Sequence, residues 1–235
     1  MILHRFPHQP FSGDLRLYGH AGPRVLVFPT SMGWSQEWED RGMIAELAEP
    51  IAAGRVQVLA VPSVDGESWY ADAKHPRERA AVHARYDAWL RDEVLPWWEA
   101  TQPHPTLITA GASFGGYHAL CFAGRYPHLV SRALVMSGLV DITRLTNGYT
   151  DDLVHAYNPA AFLRMEHDPA RIAALQRVQF ILAVGRDDTL RAQNEALAGD
   201  LWQRGIGNAL RLWDGWAHDW PWWRRMIRLY LDGPD

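Results

Sequence analysis

The hexapeptide Gly111-Ala-Ser-Phe-Gly-Gly116 offers the clearest chemistry in the sequence, because it places a serine between closely spaced glycines. A preceding apolar run over residues 106–110 predicts a strand, and the residues that follow have helical spacing. A serine on a sharp strand-to-helix turn exposes its hydroxyl, and so crowded a turn needs nearly side-chain-free positions two before and two after it. The pattern predicts Ser113 as a nucleophile, although a plain glycine-rich turn could share it by chance.

A serine hydroxyl is a weak nucleophile and needs a histidine to accept its proton, while the histidine needs a carboxylate to orient it. In a parallel sheet these groups are expected on loops at the carboxyl ends of later strands. His218 follows a predicted strand over residues 209–213. It is the candidate base, and the alternative is a histidine packed among tryptophans.

Three aspartates compete for the role of the acid. Asp187 and Asp188 follow the predicted strand over residues 178–184, and Asp141 follows the predicted strand over residues 133–137. Asp188 would also suit the N-cap of the next helix, which is an ordinary structural role for aspartate. The residues alone therefore leave the choice of acid open.

Nucleophilic attack on a carbonyl creates an oxyanion that two backbone N–H groups commonly stabilise. One donor is expected from the residue after the nucleophile, Phe114, and the other from the loop after an early strand. The loop Pro29–Gly33 fits that place. Ser31 is the preferred second donor, with Met32 as the alternative, and an ordinary turn would explain the same residues.

Short β-rich runs alternate with helical patterns along the chain. Such alternation predicts an α/β fold, with a doubly wound, mostly parallel sheet covered by helices on both faces. The predicted strands span 15–18, 25–28, 56–61, 106–110, 133–137, 178–184 and 209–213, and the predicted helices span 38–48, 77–98, 114–125, 190–204 and 222–231.

One domain over residues 1–235 is expected, interrupted by an irregular, turn-rich insert over residues 141–177. The pairs Asn147-Gly148 and Asn158-Pro159 are both turn signals inside that insert. A long insert between sheet strands is often a lid or a pocket wall, and this is the role we predict for it.

Composition excludes several classes of protein. Apolar residues make up 48% of the 235 residues, which favours a well-buried globular domain. The net charge of −4 offers no basic face for nucleic acid. Cys121 is the only cysteine in the sequence, which is typical of a reducing compartment. The sequence shows no secretory leader pattern and no run approaching the ~20 residues that span a bilayer. These features predict a cytoplasmic protein without membrane contact. No metal or cofactor motif is present.

Tryptophans crowd the neighbourhood of the candidate base His218. Large rings in such a cluster are typical of a hydrophobic core, but they could also form an aromatic wall beside a reacting group. Trp216 and Trp220 are the candidate substrate-binding residues. They would narrow the cleft and favour small or flat aromatic acyl groups over long lipids. The cluster consists of Trp213, Trp216, Trp220, Trp222 and Trp223.

Together these residues resemble the α/β-hydrolase superfamily, and within it the esterase family related to S-formylglutathione hydrolases, feruloyl esterases and mycolyltransferases. The resemblance covers nearly the whole chain. In such esterases the acid usually stands three residues after the glycine at the strand end, which here selects Asp188. Pro29-Thr30 stands where members often have a His-Gly pair. The resemblance rests on the segments 111–119, 184–188, 193–197 and 217–223.

The resemblance implies a serine esterase that cleaves small-molecule carboxylic esters through an acyl-enzyme and needs no cofactor. Ser113, Asp188 and His218 would form the triad, and Phe114 and Ser31 would hold the oxyanion. Two other functions remain open. An acyltransferase would use the same triad with an alcohol in place of water, and a binding protein would keep the fold without catalysis. The oligomeric state is left open.

Overall fold

The fold is a single eight-stranded sheet in a computed structural model that describes residues 1–6 and 10–231. The strand order is β1-β2-β4-β3-β5-β6-β7-β8. At one edge of the sheet, β2 runs antiparallel to both of its neighbours, β1 and β4. All the pairs from β4–β3 to β7–β8 are parallel. The strands are β1 Ile2–His4, β2 Leu15–Tyr18, β3 Arg24–Phe28, β4 Gln57–Ala60, β5 Leu107–Ala112, β6 Arg132–Met136, β7 Gln179–Gly185 and β8 Asn208–Trp213.

Helices cover both faces of the sheet, because the central strands are apolar on both sides. Along β3, Leu26 and Phe28 pack into one core layer, whereas Val25 and Val27 pack into the other. This confirms the predicted doubly wound architecture. The helices are α1 Glu37–Asp40, α2 Met43–Glu46, α3 Ala48–Ala52, α4 Pro76–Trp89, α5 Leu95–Thr101, α6 Phe114–Arg125, α7 Asp152–Ala156, α8 Pro159–Arg164, α9 Pro169–Leu175, α10 Arg191–Gln203 and α11 Trp220–Tyr230.

The predicted helix over residues 38–48 is wrong in form. The segment is divided among α1, α2 and α3. Gly42 adopts a left-handed conformation with φ +78° that separates α1 from α2, and Leu47, with φ −97° and ψ 6°, separates α2 from α3. The predicted helix over residues 77–98 is present and longer. It consists of helices α4 and α5, which are joined by a π-helical segment, Leu90–Val94, just before Pro96. A wider turn suits a proline that has no N–H to donate.

The insert over residues 141–177 is more regular than predicted, since it carries the short helices α7, α8 and α9. Asp151 and Asp168 cap two of them through their side chains, and prolines start α8 and α9. The insert packs on α6: the Tyr117 hydroxyl donates to the carbonyl of Tyr157, and the Arg125 guanidinium lies 4.0 Å from the Tyr157 ring centroid.

Candidate active site

Ser113 lies at the junction of β5 and α6 in a conformation that L-residues rarely adopt, with φ +54° and ψ −119°. The close packing of the turn explains its glycines. A Cβ atom on Gly111 would lie 2.1 Å from the carbonyl oxygen of Gly115, and one on Gly115 would lie 2.5 Å from that of Phe28. The turn leaves Ser113 partly exposed at the N-terminus of α6, where the helix dipole favours negative charge.

Asp188, His218 and Ser113 form a continuous chain of polar contacts. Asp188 Oδ2 lies 2.9 Å from His218 Nδ1, and His218 Nε2 lies 3.1 Å from Ser113 Oγ. The Asp188 side chain is fully buried, and its Oδ1 accepts the Leu190 N–H at 2.9 Å. Three loops that are far apart in sequence, after β5, β7 and β8, thus bring a hydroxyl, an imidazole and a carboxylate together.

The other two candidate acids point elsewhere. Asp187 is exposed, one residue before Asp188 in the same turn. Asp141 Oδ1 accepts hydrogen bonds from the N–H of Thr143 and the amide of Asn158, both at 2.9 Å. Burial acts to raise the pKa of Asp141, but these bonds outweigh it and leave that pKa lowered. The structure brings only Asp188, of the three, to the imidazole of His218.

In the loop after β3, most backbone N–H groups are hydrogen-bonded within the protein and one is not. The Thr30 N–H donates to Glu37, the Met32 N–H to Asp65 and the Gly33 N–H to the Thr30 carbonyl, at 2.7, 2.9 and 2.9 Å. Among residues 1–6 and 10–231, the Ser31 N–H has no acceptor. Of the two candidate donors, Met32 already donates its N–H to Asp65, whereas the N–H of Ser31 is free.

The N–H of Phe114 is the second free amide, since it too lacks an acceptor within the described part of the chain. The residues of the two free amides, Ser31 and Phe114, are linked through the side chain of Tyr70. The Ser31 hydroxyl lies 2.9 Å from the hydroxyl of Tyr70, and the Tyr70 ring packs edge-on against the Phe114 ring at 5.1 Å. The glycine Gly115 meanwhile abuts the carbonyl of Pro29. Both amides that the sequence indicated thus remain available beside the serine turn.

Two buried carboxylates beneath the loop escaped the sequence interpretation. Glu37 accepts the N–H and the hydroxyl of Thr30, and burial raises its pKa. Asp65 contacts Met32 through one oxygen and His118 through the other. Asp65 was not among the candidate residues, although its place soon after β4, at the same sheet edge as Ser113, was a usable signal.

The tryptophans near the histidine have different surroundings. Trp216 is 48% exposed, and its ring centroid lies 5.5 Å from that of His218. The sequence did not single out Trp223 as a contact of His218. Trp223 is buried and packs edge-on against the His218 ring, with 5.4 Å between the ring centroids. Trp220 instead packs on Trp223 and lies under the Arg41 guanidinium. Only Trp216 of the two candidate substrate-binding residues thus contacts the histidine ring.

No group of three or more histidine, cysteine, aspartate or glutamate side chains could hold a metal ion within the described residues. Within the same residues, no helix has both the length and the apolar character needed to cross a membrane.

The strand order and the serine turn after β5 define the α/β-hydrolase fold. The model of the esterase family described as "Putative esterase" matches residues 18–228. The chain belongs to this family and is a carboxylic ester hydrolase.

Solved structures share the fold at low sequence identity. A ferulic acid esterase is 20% identical with a TM-score of 0.72, covering 92% of this chain and 89% of its own. S-formylglutathione hydrolases from Staphylococcus aureus and Agrobacterium tumefaciens are 16% and 14% identical, with TM-scores of 0.69 and 0.72. The S. aureus protein covers 97% of this chain and 92% of its own, and the A. tumefaciens protein 98% and 91%. A search of curated proteins finds no match.

Proposed function

We propose that the protein cleaves small-molecule carboxylic esters through an acyl-enzyme on Ser113. The observation that carries this proposal is the chain of contacts from Asp188 through His218 to Ser113, at 2.9 and 3.1 Å. A hydroxyl, an imidazole and a buried carboxylate in that order are what a serine needs to become a nucleophile at neutral pH.

In the proposed reaction, Ser113 Oγ attacks the ester carbonyl while its proton passes to His218 Nε2. Asp188 accepts the hydrogen bond from His218 Nδ1–H, which fixes the tautomer and stabilises the imidazolium. The negative charge on the former carbonyl oxygen is stabilised by the N–H groups of Phe114 and Ser31. Collapse of this intermediate breaks the C–O bond to the alcohol, which takes the proton from His218. Water, deprotonated by His218, then attacks the acyl group and releases the acid and Ser113.

The free amides support the oxyanion assignment. Catalysis needs donors that are aimed at developing charge and not already bonded in the resting enzyme. Ser31 is the only residue of 30–33 whose N–H meets no acceptor in the described structure. A backbone amide needs no particular side chain, so Pro29-Thr30 in place of a His-Gly pair is compatible with this role.

Trp216 and the insert are proposed to bound the substrate site. Trp216 offers an exposed flat face beside His218. The contacts of the insert with α6, including the Tyr117–Tyr157 hydrogen bond and the Arg125 stack on Tyr157, favour a fixed pocket wall over a moving lid.

A fluorophosphonate probe tests the nucleophile directly. We expect the wild-type protein to gain one covalent adduct on Ser113, located by mass spectrometry, and Ser113→Ala to gain none while keeping its melting temperature. Ser113→Ala should retain less than about a thousandth of the wild-type kcat. An adduct elsewhere, or a more active variant, would contradict the assignment. Adding an alcohol during turnover and measuring transesterified product separates acyl transfer from hydrolysis.

Replacement of the acid supplies a second check. Asp188→Asn should lower kcat about 10⁴-fold, because an amide favours the wrong histidine tautomer and cannot stabilise the imidazolium. Asp187→Asn is the matched control, since it changes the neighbouring exposed carboxylate and should leave kcat within about threefold. A larger loss for Asp187→Asn would transfer the role to that residue.

A further inference from the structure

Asp65 is a buried carboxylate that lies outside the chain Asp188–His218–Ser113, yet it contacts the loop that offers the free amide. Its side chain is fully buried. Oδ2 accepts the Met32 N–H at 2.9 Å, and Oδ1 lies 2.8 Å from His118 Nε2. Burying a carboxylate is costly unless its oxygens are hydrogen-bonded, and here each oxygen has a partner.

The residue that Asp65 holds is strained. Met32 has φ +58° and is the third residue of a turn closed by the Gly33 N–H donating to the Thr30 carbonyl. Ser31 is not among the residues with positive φ, so the turn has type II geometry. That geometry favours glycine or asparagine at the third position because other side chains crowd the backbone there. A methionine needs external support to stay in it.

His118 connects this support to the nucleophile. His118 lies on α6, the helix that starts directly after Ser113, and its ring stacks on Phe28 at 5.5 Å and meets Phe114 edge-on at 5.2 Å. The contact between Asp65 and His118 therefore ties the loop with the Ser31 amide to the helix with the Phe114 amide.

We propose that Asp65, anchored by His118, is a positioning residue that sets the oxyanion loop. By holding the Met32 N–H inward it fixes the left-handed turn, and this turn leaves the preceding Ser31 N–H free for the oxyanion. The inference rests on the proposed function of Ser113 and Ser31. It predicts an effect on transition-state stabilisation and little effect on ground-state substrate binding.

The first test compares Asp65→Ala with Asp65→Asn. Asp65→Ala should lower kcat about 10²-fold, the scale for losing one oxyanion donor, with KM within about threefold. The affinity for phenylboronic acid, whose tetrahedral adduct with the serine places an oxygen at the oxyanion position, should fall in parallel. Asp65→Asn keeps an acceptor for the Met32 N–H and should stay within about tenfold of wild type. Equal losses in both variants would show that the charge, and not the positioning, matters.

Two variants of Met32 test the turn without disturbing the core, because this side chain is 56% exposed. Met32→Gly adopts positive φ freely, so it should keep kcat, and in the Asp65→Ala background it should restore at least tenfold. Met32→Val places a β-branched residue where it is most strained and should lower kcat at least tenfold. Equal kcat for the glycine and valine variants would overturn the proposal even if Asp65→Ala does not fold.

Asp87→Ala is the control for loss of a buried carboxylate. Asp87 pairs with Arg125 at 3.0 Å, and among the described residues it makes no hydrogen bond to the loop after β3, so its replacement should lower the melting temperature with no change in kcat or boronate affinity. Failure of the inference is separable from failure of the proposed function. If the probe does not label Ser113, the proposed function is wrong; if it does and Asp65→Ala keeps kcat within threefold, only the positioning role is wrong.

Discussion

Two turns on neighbouring strands perform similar tasks by different means. The turn after β5 places Ser113 at φ +54°, and the turn after β3 places Met32 at φ +58°. Around Ser113 the backbone segments approach so closely that glycines at positions 111 and 115 are required. Around Met32 the strain is offset by hydrogen bonds to Glu37 and Asp65.

The difference shows that strain at a functional site can be supported locally or from a distance. Each strained residue costs on the order of 1–3 kcal/mol and persists only where its surroundings determine it fully. At the serine turn the support lies within two residues on either side. At the loop after β3, the proposed oxyanion loop, the support comes from acceptors 7 and 33 residues away in sequence. The first arrangement tolerates no added side chain, whereas the second depends on buried hydrogen-bond acceptors.

Of the variants that compare the two turns, the one that removes the N–H of Ser31 from the proposed oxyanion loop should have the largest effect. Proline suits the second position of a type II turn, so Ser31→Pro removes the N–H and preserves the turn. We expect kcat to fall about 10²–10³-fold, with KM nearly unchanged. Ser31→Ala loses the same hydroxyl contact with Tyr70 but keeps the N–H, so it should stay within about threefold. If both variants lose activity equally, Ser31 is not an oxyanion donor.

A methyl group added at the serine turn should destabilise the whole protein. In Gly115→Ala the new Cβ would meet the carbonyl oxygens of Phe28 and Pro29, both at 2.5 Å. Backbone atoms cannot move aside cheaply, and we expect the free energy of unfolding to fall by about 3 kcal/mol. Gly199→Ala is the matched control, because nothing lies within 4 Å of its Cβ position in α10.

Urea denaturation of the two alanine variants measures this contrast. Gly199→Ala should raise the free energy of unfolding by about 0.5–1 kcal/mol, since alanine favours a helix interior over glycine. Equal effects of the two substitutions would mean that the serine turn is not as tightly closed as the structure indicates.

The same contrast explains what could be predicted from the sequence. The glycines beside Ser113, the apolar strands and helix α6 are local patterns, so the serine turn and the strand-end loops of Asp188 and His218 were found directly. Glu37 and Asp65 were not, because their partners lie far from them in sequence or are backbone amides, which leave no residue pattern.

The misread segments have equally local causes. Asn158-Pro159 was interpreted as a turn, but it is the start of α8, with proline in the first helical turn. Gly42 divides a helix that the apolar spacing made continuous. Strand β1 was missed because it has only three residues at a sheet edge and its Ile2 and Leu3 are exposed.

Neutralising the buried charge beneath the loop should sharpen the comparison. Burial raises the pKa of Glu37, and the neighbouring Asp65 adds to the rise. The folded state therefore holds this proton more tightly than the unfolded state, so the contribution of Glu37 to stability falls as pH rises above its ordinary value of 4.5. Glutamine can accept the Thr30 N–H and donate to the Thr30 hydroxyl oxygen without carrying charge.

We expect Glu37→Gln to be more stable than wild type at pH 7, by about 1 kcal/mol, with an advantage that shrinks toward pH 4. Urea denaturation across this pH range checks the sign. Glu37→Leu is the control, because it removes both the charge and the hydrogen bonds and should disturb the loop. A glutamine variant whose stability follows the wild-type pH dependence would show that Glu37 does not titrate as described.

The smallest expected effect on activity concerns the rim of the site, where the histidine side differs from the side of the proposed oxyanion loop. Trp216 presents an exposed flat ring 5.5 Å from the His218 ring, whereas the loop after β3 presents the backbone N–H of Ser31. Stacking on a flat face should favour small or flat aromatic acyl groups over long chains.

We expect Trp216→Ala to lower kcat/KM for a phenylacetyl ester about fivefold, or ~1 kcal/mol, and to leave kcat/KM for an acetyl ester of the same alcohol unchanged. Trp202→Ala removes a more exposed tryptophan on α10, next to residues that precede and begin β7 and β8, and should change the kcat/KM of neither ester. Because loss of a stacking surface must distinguish acyl groups, a uniform loss over acetyl, butyryl, phenylacetyl and palmitoyl esters would assign Trp216 to holding His218 instead. A palmitoyl ester preferred tenfold by the wild-type enzyme would refute the aromatic preference itself.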